Sequence, residues 1–211
     1  MLVDKKLDVA SGFRYLEYSS YETVSAGSLI FLHGSGEWGN SLDRINRYGL
    51  PRLLADRAIE LNCKVVCPQQ DDDREWCSKR LQTLSDSINA ESCVLAVVGF
   101  SRGGKALCNW ISEYGVVAPL AVVVAGRGDE SVSGSLSGLT LVSIHGDQDP
   151  YPNMEGFLLR CKEIGADVDE IILKERDHFI SEEIFANSKL TSIFAAAGVQ
   201  IRSFRSHESA Q

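Results

Sequence analysis

The sequence lacks any long apolar segment. Its apolar runs, such as residues 94–98 and 121–125, are short, whereas a membrane-spanning helix needs about 20 apolar residues. The start, MLVDKKLDVASGF, also lacks the apolar stretch that a secretory signal requires. The five prolines form no proline-rich linker. We therefore expect a single cytoplasmic domain over residues 1–211, with no membrane span.

The cysteines lack the spacing of a structural metal site. The chain has six of them, and they form no CxxC pair of the kind found in zinc sites and redox motifs. Scattered cysteines of this kind are typical of reduced, buried residues in cytoplasmic proteins. We expect no disulfide, no metal and no cofactor.

Positive charge is also in short supply. The chain has 21 Lys and Arg residues against 29 Asp and Glu, which gives a net charge of −8. Nucleic acids and anionic membrane surfaces require clustered positive charge. We therefore expect no nucleic-acid partner. The apolar fraction of 44% is that of an ordinary globular protein.

What the chain does contain is an alternation of short apolar runs with amphipathic segments of helical length. This pattern is typical of an α/β fold in which helices cover both faces of a mostly parallel sheet, a three-layer sandwich. One or two weaker strands precede residue 28, and we expect residues 198–211 to be a loose tail. The predicted strands are 28–33, 64–67, 93–99, 120–125, 139–145 and 170–173, and the predicted helices are 50–61, 77–89, 105–114, 154–164 and 181–197.

Residues 99–103 read GFSRG and fit the pattern G-x-S-x-G. They lie between a predicted strand and a predicted helix, the context in which this pattern forms a nucleophile elbow. The sharp turn lifts the serine hydroxyl to the carboxyl edge of the sheet, and its neighbours must be small. Ser101 is therefore the predicted nucleophile. The five residues alone do not exclude an ordinary glycine-rich turn.

A serine nucleophile needs a base, and an acid must orient that base. The chain order Ser, acid, His favours His178, in KERDHF, and makes His207 in the polar tail a weaker alternative. The acid is expected in HGDQDP, after the preceding strand. We favour Asp149, with Asp147 bracing the turn. Asp177 is adjacent to His178 and is therefore poorly placed to receive its N–H.

Developing negative charge on a substrate oxygen requires backbone N–H donors. One donor should come from the residue after the nucleophile, Arg102, and another from a loop after an earlier strand. The loop in LHGSGEWG meets this description, and we assign its donor to Ser35. We expect His33 to bond within this turn and to have a structural role.

The motifs LIFLHGSGEWG, CPQ, VVGFSRGG, HGDQDP and DHF occur in the order seen in α/β-hydrolases. They resemble most closely the compact phospholipase/carboxylesterase, dienelactone-hydrolase and polyhydroxybutyrate-depolymerase-like esterases, over residues 28–180. The resemblance implies an eight-stranded sheet of mixed direction and hydrolysis of esters or thioesters through an acyl-enzyme. It also implies that Asp149 is the acid and Ser35 the loop donor. Relatives often pair, so a homodimer is one expectation.

Three features bear on the substrate pocket. Only residues 126–138 separate two predicted strands where lipases carry a lid, so we expect no lid and an open site. Trp38 and Trp76 could line the acyl pocket or pack beneath loops. Relatives usually have Gln or Met where this chain has Arg102, whose guanidinium could bind an anionic group or pair with a surface carboxylate.

The sequence thus predicts a serine hydrolase acting on a small-molecule ester or thioester. A serine peptidase or an acyltransferase would use the same groups. A third alternative is a non-catalytic ligand-binding protein on this scaffold, because a fold alone does not establish a function.

Overall fold

The computed structural model describes residues 2–19, 26–71 and 75–204. His207 and residues 205–211 of the predicted tail lie outside this range. The strands are β1 (Leu2–Leu7), β2 (Arg14–Ser19), β3 (Ser28–Leu32), β4 (Ile59–Leu61), β5 (Lys64–Pro68), β6 (Val94–Phe100), β7 (Leu120–Val124), β8 (Thr140–Gly146), β9 (Asp167–Leu173) and β10 (Ile201–Ser203). The helices are α1 (Gly49–Ala55), α2 (Ser78–Asn89), α3 (Arg102–Tyr114), α4 (Glu155–Glu163) and α5 (Ser188–Ala196), with 3₁₀ turns at Leu42–Arg47 and Glu183–Ala186.

Eight strands form one sheet of mixed direction in the order β1-β2-β5-β3-β6-β7-β8-β9. The six strands from β5 to β9 in this order run parallel to one another. At one side, β2 pairs antiparallel with β5, and β1 pairs antiparallel with β2. Because successive parallel strands need crossover connections, helices lie on the faces of the sheet. The predicted α/β architecture is confirmed.

The two faces of the sheet bury two separate hydrophobic clusters. Along β3, Leu29 and Phe31 face the cluster that includes α1 and α5, whereas Ile30 and Leu32 face the cluster that includes α2, α3 and α4. The side chains of a strand alternate between faces, so an apolar run such as SLIFL serves both clusters. The sheet is therefore the middle of three layers.

The predicted helix 50–61 is wrong in its second half. Helix α1 ends at Ala55, and residues 59–61 instead form β4. Arg57 adopts a left-handed conformation with φ of 53°, and the Ala58 amide donates to the Leu53 carbonyl at 2.8 Å. This is the pattern of a helix C-terminus, which is usually formed by glycine and was therefore not expected at an arginine.

The chain after residue 180 also differs from its prediction. The helix predicted over 181–197 is broken at Asn187, whose side-chain oxygen accepts the Leu190 amide at 3.0 Å and caps α5. Residues 198–204 are not a loose tail, because β10 pairs antiparallel with β4 in a separate two-stranded sheet.

The segment joining β7 to β8 has no helix, and its one contact of strand type is a single bridge between Arg127 and Asn153. No lid therefore covers this part of the carboxyl edge of the sheet, as the sequence predicted. Within the described ranges, no helix has both the length and the apolar character that crossing a bilayer requires.

The core of the layer containing α3 depends on Trp110, which is fully buried and donates its indole N–H to Gln82 at 2.9 Å. Trp110→Ala should lower the free energy of unfolding by about 3–5 kcal/mol, because it leaves a large cavity. Urea unfolding followed by far-UV circular dichroism measures this. Leu159→Ala, at a side chain that is 60% exposed, is the control and should change the value by about 0.5 kcal/mol or less. Equal effects of the two changes would contradict this description of the core.

Candidate active site

Ser101 lies at a sharp turn between β6 and α3. Its backbone has φ of 54° and ψ of −112°, a combination that residues with a side chain rarely adopt. The turn is held by the Ser101 amide, which donates to the Val124 carbonyl at 2.8 Å, and by the Lys105 amide, which donates to the Ser101 carbonyl at 3.0 Å. A strained turn of this kind is typical of a functional residue whose surroundings fix it in place.

The glycines of the GFSRG motif are required by close backbone contacts. A Cβ atom on Gly99 would lie 2.3 Å from the Gly103 carbonyl oxygen, and one on Gly103 would lie 2.1 Å from the Leu32 carbonyl oxygen. Any larger residue would push α3 away from β3 and β6. The spacing of the motif therefore follows from the approach of these three backbones.

Three side chains meet at the carboxyl edge of the sheet. Nε2 of His178 lies 2.9 Å from Oγ of Ser101, and its Nδ1 lies 2.7 Å from Oδ2 of Asp149. The side chain of Asp149 is fully buried and that of His178 is 17% exposed. The structure thus brings together the predicted nucleophile, base and acid in one hydrogen-bonded chain.

The loops after β8 and β9 hold this arrangement through their backbones. A Cβ atom on Gly146 would lie 2.0 Å from the Arg176 carbonyl oxygen, which also accepts the Gln148 amide at 3.0 Å. Oδ1 of Asp149 accepts the Tyr151 amide at 3.0 Å. The carboxylate of Asp149 therefore has its orientation fixed on both oxygens.

The alternative carboxylates lie elsewhere. Asp147 is exposed, and its amide donates to the Leu173 carbonyl at 3.0 Å. This backbone hydrogen bond is of the kind expected of Asp147 in bracing the turn, whereas the carboxylate that accepts a backbone N–H within the turn is that of Asp149. Asp177 is exposed, and its Oδ1 accepts the Phe179 amide at 2.9 Å.

The loop after β3 lies beside Ser101 and contributes to the cavity wall. A Cβ atom on Gly34 would lie 3.3 Å from the Cβ of Ser101, so the loop backbone runs directly beside the serine. Ser35 and Arg102 both line the cavity next to Ser101. The positions of these two residues are those expected of the predicted backbone donors, whose role stays a prediction.

His33 is buried beneath this loop. Its Nε2 accepts the Gln70 amide at 3.1 Å, and its Nδ1 lies 2.8 Å from the Gly34 carbonyl oxygen. One ring nitrogen is thus an acceptor and the other a donor, which is the pattern of a neutral imidazole. Burial lowers the pKa of His33 to about 4. These contacts tie the loop to the segment that follows β5 and agree with the structural role expected of His33.

Glu37 is a component of the site that sequence analysis missed. Its side chain is buried, and Oε2 accepts the Gly34 amide at 3.1 Å. Burial raises the pKa of this carboxyl to about 8. An acidic residue inside the glycine-rich loop GSGEWG was the available signal, because a charged residue in a tight loop often bonds to its backbone.

A cavity of about 530 Å³ opens in front of Ser101. Its walls include Phe100, Tyr151 and Phe179, of which Tyr151 and Phe179 are 59% and 75% exposed. Both rings lie edge-on to His178, with centroids 5.3 and 5.8 Å away. Within the described residues, no cluster of three or more His, Cys, Asp or Glu is placed to hold a metal ion.

Of the two alternatives for Trp38 and Trp76, the structure agrees with packing beneath loops, since neither residue borders the cavity. Trp76 points inward, is 7% exposed, and packs against Phe13 and His33. Trp38 instead lies beneath the guanidinium of Arg44, 5.8 Å from the ring centroid. Both rings are used in packing the loops, and the aromatic lining comes from residues next to the catalytic candidates.

Several solved structures with a similar fold are those of esterases. The chain is similar to a thermostable esterase with a TM-score of 0.72 and 20% identity, over 92% of this chain and 62% of that one. It is also similar to a phospholipase/carboxylesterase from Dyadobacter fermentans DSM 18053, with a TM-score of 0.63 and 13% identity over 86% and 94% of the two chains. A carboxylesterase from Mesorhizobium loti gives a TM-score of 0.61 at 17% identity, over 86% and 93%.

The chain has the α/β-hydrolase fold. No protein-family model matches the sequence, and no curated protein is significantly similar to it. The α/β-hydrolase fold places the ends of its parallel strands at one edge, and Ser101, Asp149 and His178 follow β6, β8 and β9 at that edge. The likeness extends over nearly the whole chain, although the chain spans only 62% of the thermostable esterase's length.

The buried carboxyl of Glu37 makes stability depend on pH. Its pKa is about 8 in the folded protein and 4.5 when unperturbed, so the unfolded chain loses this proton at a lower pH. The free energy of unfolding should therefore fall as pH rises between these values. His33 has the opposite effect between its folded pKa of about 4 and its ordinary 6.5. Of these two groups, Glu37 is the one whose effect extends over the interval from pH 6.5 to 8.

Glu37→Gln should therefore flatten the decline in stability between pH 6.5 and 8, since glutamine does not ionise. Urea unfolding at several pH values measures the slope. Glu155→Gln, at an exposed position of α4, should keep the wild-type slope. An unchanged slope in Glu37→Gln would show that this carboxyl ionises as readily in the folded as in the unfolded chain.

Proposed function

We propose that this chain is a serine hydrolase that cleaves carboxylic esters or thioesters through an acyl-enzyme. The observation that carries the proposal is the chain of hydrogen bonds from Ser101 through His178 to the buried carboxylate of Asp149. Nucleophile, base and orienting acid within hydrogen-bond reach of one another are the groups that acyl transfer requires. Esterases among the structures of similar fold support the same class of reaction.

In the first step, His178 acts as the base. Because the Nδ1–H group of His178 donates a hydrogen bond to Asp149 and keeps its proton, Nε2 is the nitrogen that accepts the hydroxyl proton of Ser101 as Oγ attacks the carbonyl carbon. The carboxylate of Asp149 stabilises the imidazolium that forms. The carbonyl oxygen gains negative charge, and the backbone N–H groups of Ser35 and Arg102 stabilise it by donating hydrogen bonds. Arg102 is the first residue of α3, where the helix dipole also favours negative charge.

Loss of the alcohol or thiol completes the first half of the reaction, and water takes part in the second half. His178 gives its proton to the departing alcohol or thiol, which leaves an ester on Ser101. A water molecule then gives a proton to Nε2 and attacks the acyl carbon. Breakdown of this second intermediate releases the acid and returns the proton to Ser101. The steps need only the side chains and amides of this chain.

The absence of a lid over residues 125–139 favours small or flexible acyl groups that reach an open cavity. Amide cleavage and acyl transfer would use the same three side chains. Turnover of matched p-nitrophenyl esters and p-nitroanilides, with and without an added alcohol, separates those reactions from ester hydrolysis.

Ser101→Ala should abolish reaction with a fluorophosphonate and lower kcat on p-nitrophenyl acetate on the order of 10⁶-fold, as removal of the nucleophile does in other serine hydrolases. Intact-protein mass spectrometry with peptide mapping measures labelling, and release of p-nitrophenol measures turnover. Ser131→Ala, in the exposed loop after β7, is the control and should be labelled like the wild type. Failure of the folded wild-type protein to label would sink the proposal and favour a ligand-binding role.

Asp149→Asn should lower kcat about 10³- to 10⁴-fold, because an amide favours the wrong tautomer of His178 and does not stabilise the imidazolium. Asp147→Asn makes the same chemical change at an exposed position two residues away and should stay within about twofold of wild type. Steady-state kinetics on p-nitrophenyl acetate measures both variants. A larger loss in Asp147→Asn would reverse the assignment of the acid.

A further inference from the structure

The described residues that line the cavity in front of Ser101 include more cationic than anionic side chains, although the chain as a whole has a net charge of −8. Three cationic side chains, Arg102, Lys105 and Arg127, line it. Among the described residues, Glu75 is the only carboxylate in its walls. A cleft lined by one sign of charge attracts ligands of the opposite sign. The local charge thus differs in sign from that of the surrounding protein.

The carboxylate of Glu75 does not neutralise the whole cavity. Its Oε1 pairs with Nζ of Lys105 at 2.9 Å. The nearby Asp129 accepts the Ser131 amide at 3.0 Å through Oδ1 and does not line the cavity. Arg102 and Lys105 lie three residues apart along α3, so their side chains share one side of the helix. Arg127 comes from the loop after β7.

Among the three cationic side chains, Arg127 is the best candidate to bind an anionic ligand. Its side chain is exposed, and in the described ranges it takes part in no ion pair or side-chain hydrogen bond. A guanidinium presents several N–H donors in a planar fork that matches a carboxylate. Pairing with an anionic ligand at this position therefore breaks no existing contact.

The backbone around Arg127 is fixed, so the guanidinium starts from a defined point on the cavity wall. Ala125 has a positive φ of 49°, and a Cβ atom on Gly126 would lie 2.6 Å from the side chain of Val123. Arg127 forms a bridge with Asn153, whose carbonyl accepts the Gly128 amide at 3.1 Å. These contacts attach the residue to the loop that also carries Asp149.

We propose that Arg127 binds a carboxylate group of the substrate, so that the substrate is an anionic ester or thioester. This inference rests on the proposed function for the location of the reacting carbonyl, next to Ser101. The carboxylate belongs to the acyl part or to the alcohol part of the ester, and matched probes distinguish the two.

Binding to Ser101→Ala protein tests the inference without turnover. One pair of probes is mono-p-nitrophenyl adipate and its methyl ester, in which the charge is on the acyl part. The other pair is 4-acetoxybenzoate and its methyl ester, in which the charge is on the alcohol part. In one of the pairs, isothermal titration calorimetry should show the anionic ester binding about tenfold more tightly than its neutral partner, the scale of a charged hydrogen bond.

Arg127→Gln in the same background should remove most of this preference. Arg202→Gln removes the same charge on β10, outside the cavity, and should leave the preference in place. The preference should also weaken as salt rises from 50 to about 500 mM, because salt screens exposed charges. Equal binding of anionic and neutral esters in both pairs would overturn the inference, as would a preference that survives Arg127→Gln.

Kinetics of the wild-type protein keep this result separate from the proposed function. Hydrolysis of the neutral esters reports the triad, and the ratio of kcat/KM between anionic and neutral esters reports Arg127. Hydrolysis of neutral esters with no anionic preference supports the function and rejects the inference. Tight binding of the anionic esters without hydrolysis or fluorophosphonate labelling rejects the function and supports a carboxylate-binding site at Arg127.

Discussion

The backbones of β3, β6 and α3 approach one another at Gly99 and Gly103 more closely than any side chain would permit. This contact brings α3 directly against the end of the sheet and forces the chain through the strained conformation at Ser101. The hydroxyl is thereby held at the carboxyl edge, where the loops after β8 and β9 also end. The hydrogen bonds that link Asp149 and His178 to Ser101, and the contact of the loop after β3, all depend on this fixed position of the serine.

The rest of the site consists of backbone contacts between loops. Gly146 allows the loop after β8 to touch the loop after β9 at Arg176, and this brings Asp149 to His178. His33 and Glu37 hold the loop after β3 through hydrogen bonds to the backbone of Gly34. Both are in their neutral forms near pH 7, because burial lowers the pKa of His33 to about 4 and raises that of Glu37 to about 8. Neutral buried groups give hydrogen bonds without the desolvation penalty of a buried charge.

Features with a local chemical cause could be predicted from the sequence. The alternation of apolar runs predicted the layers, and GFSRG, HGDQDP and DHF predicted the three residues that meet at the edge. Features decided by distant contacts could not. The end of α1 depends on a left-handed conformation at Arg57, which is not glycine, and β4 exists because β10 pairs with it from far along the chain. The orientation of Trp76 similarly depends on Phe13 and His33.

The antiparallel strands β1 and β2 extend one side of the sheet, and among the described residues no further strand pairs with the outer edge of β1. An open edge can template the addition of a strand from another molecule. The middle of β1 carries Asp4, Lys5 and Lys6, and the opposite edge strand, β9, carries Asp167 and Glu170. Charged residues on edge strands oppose such growth. Two copies meeting through β9 would bring like charges together, so self-association by continuing the sheet across that edge is disfavoured.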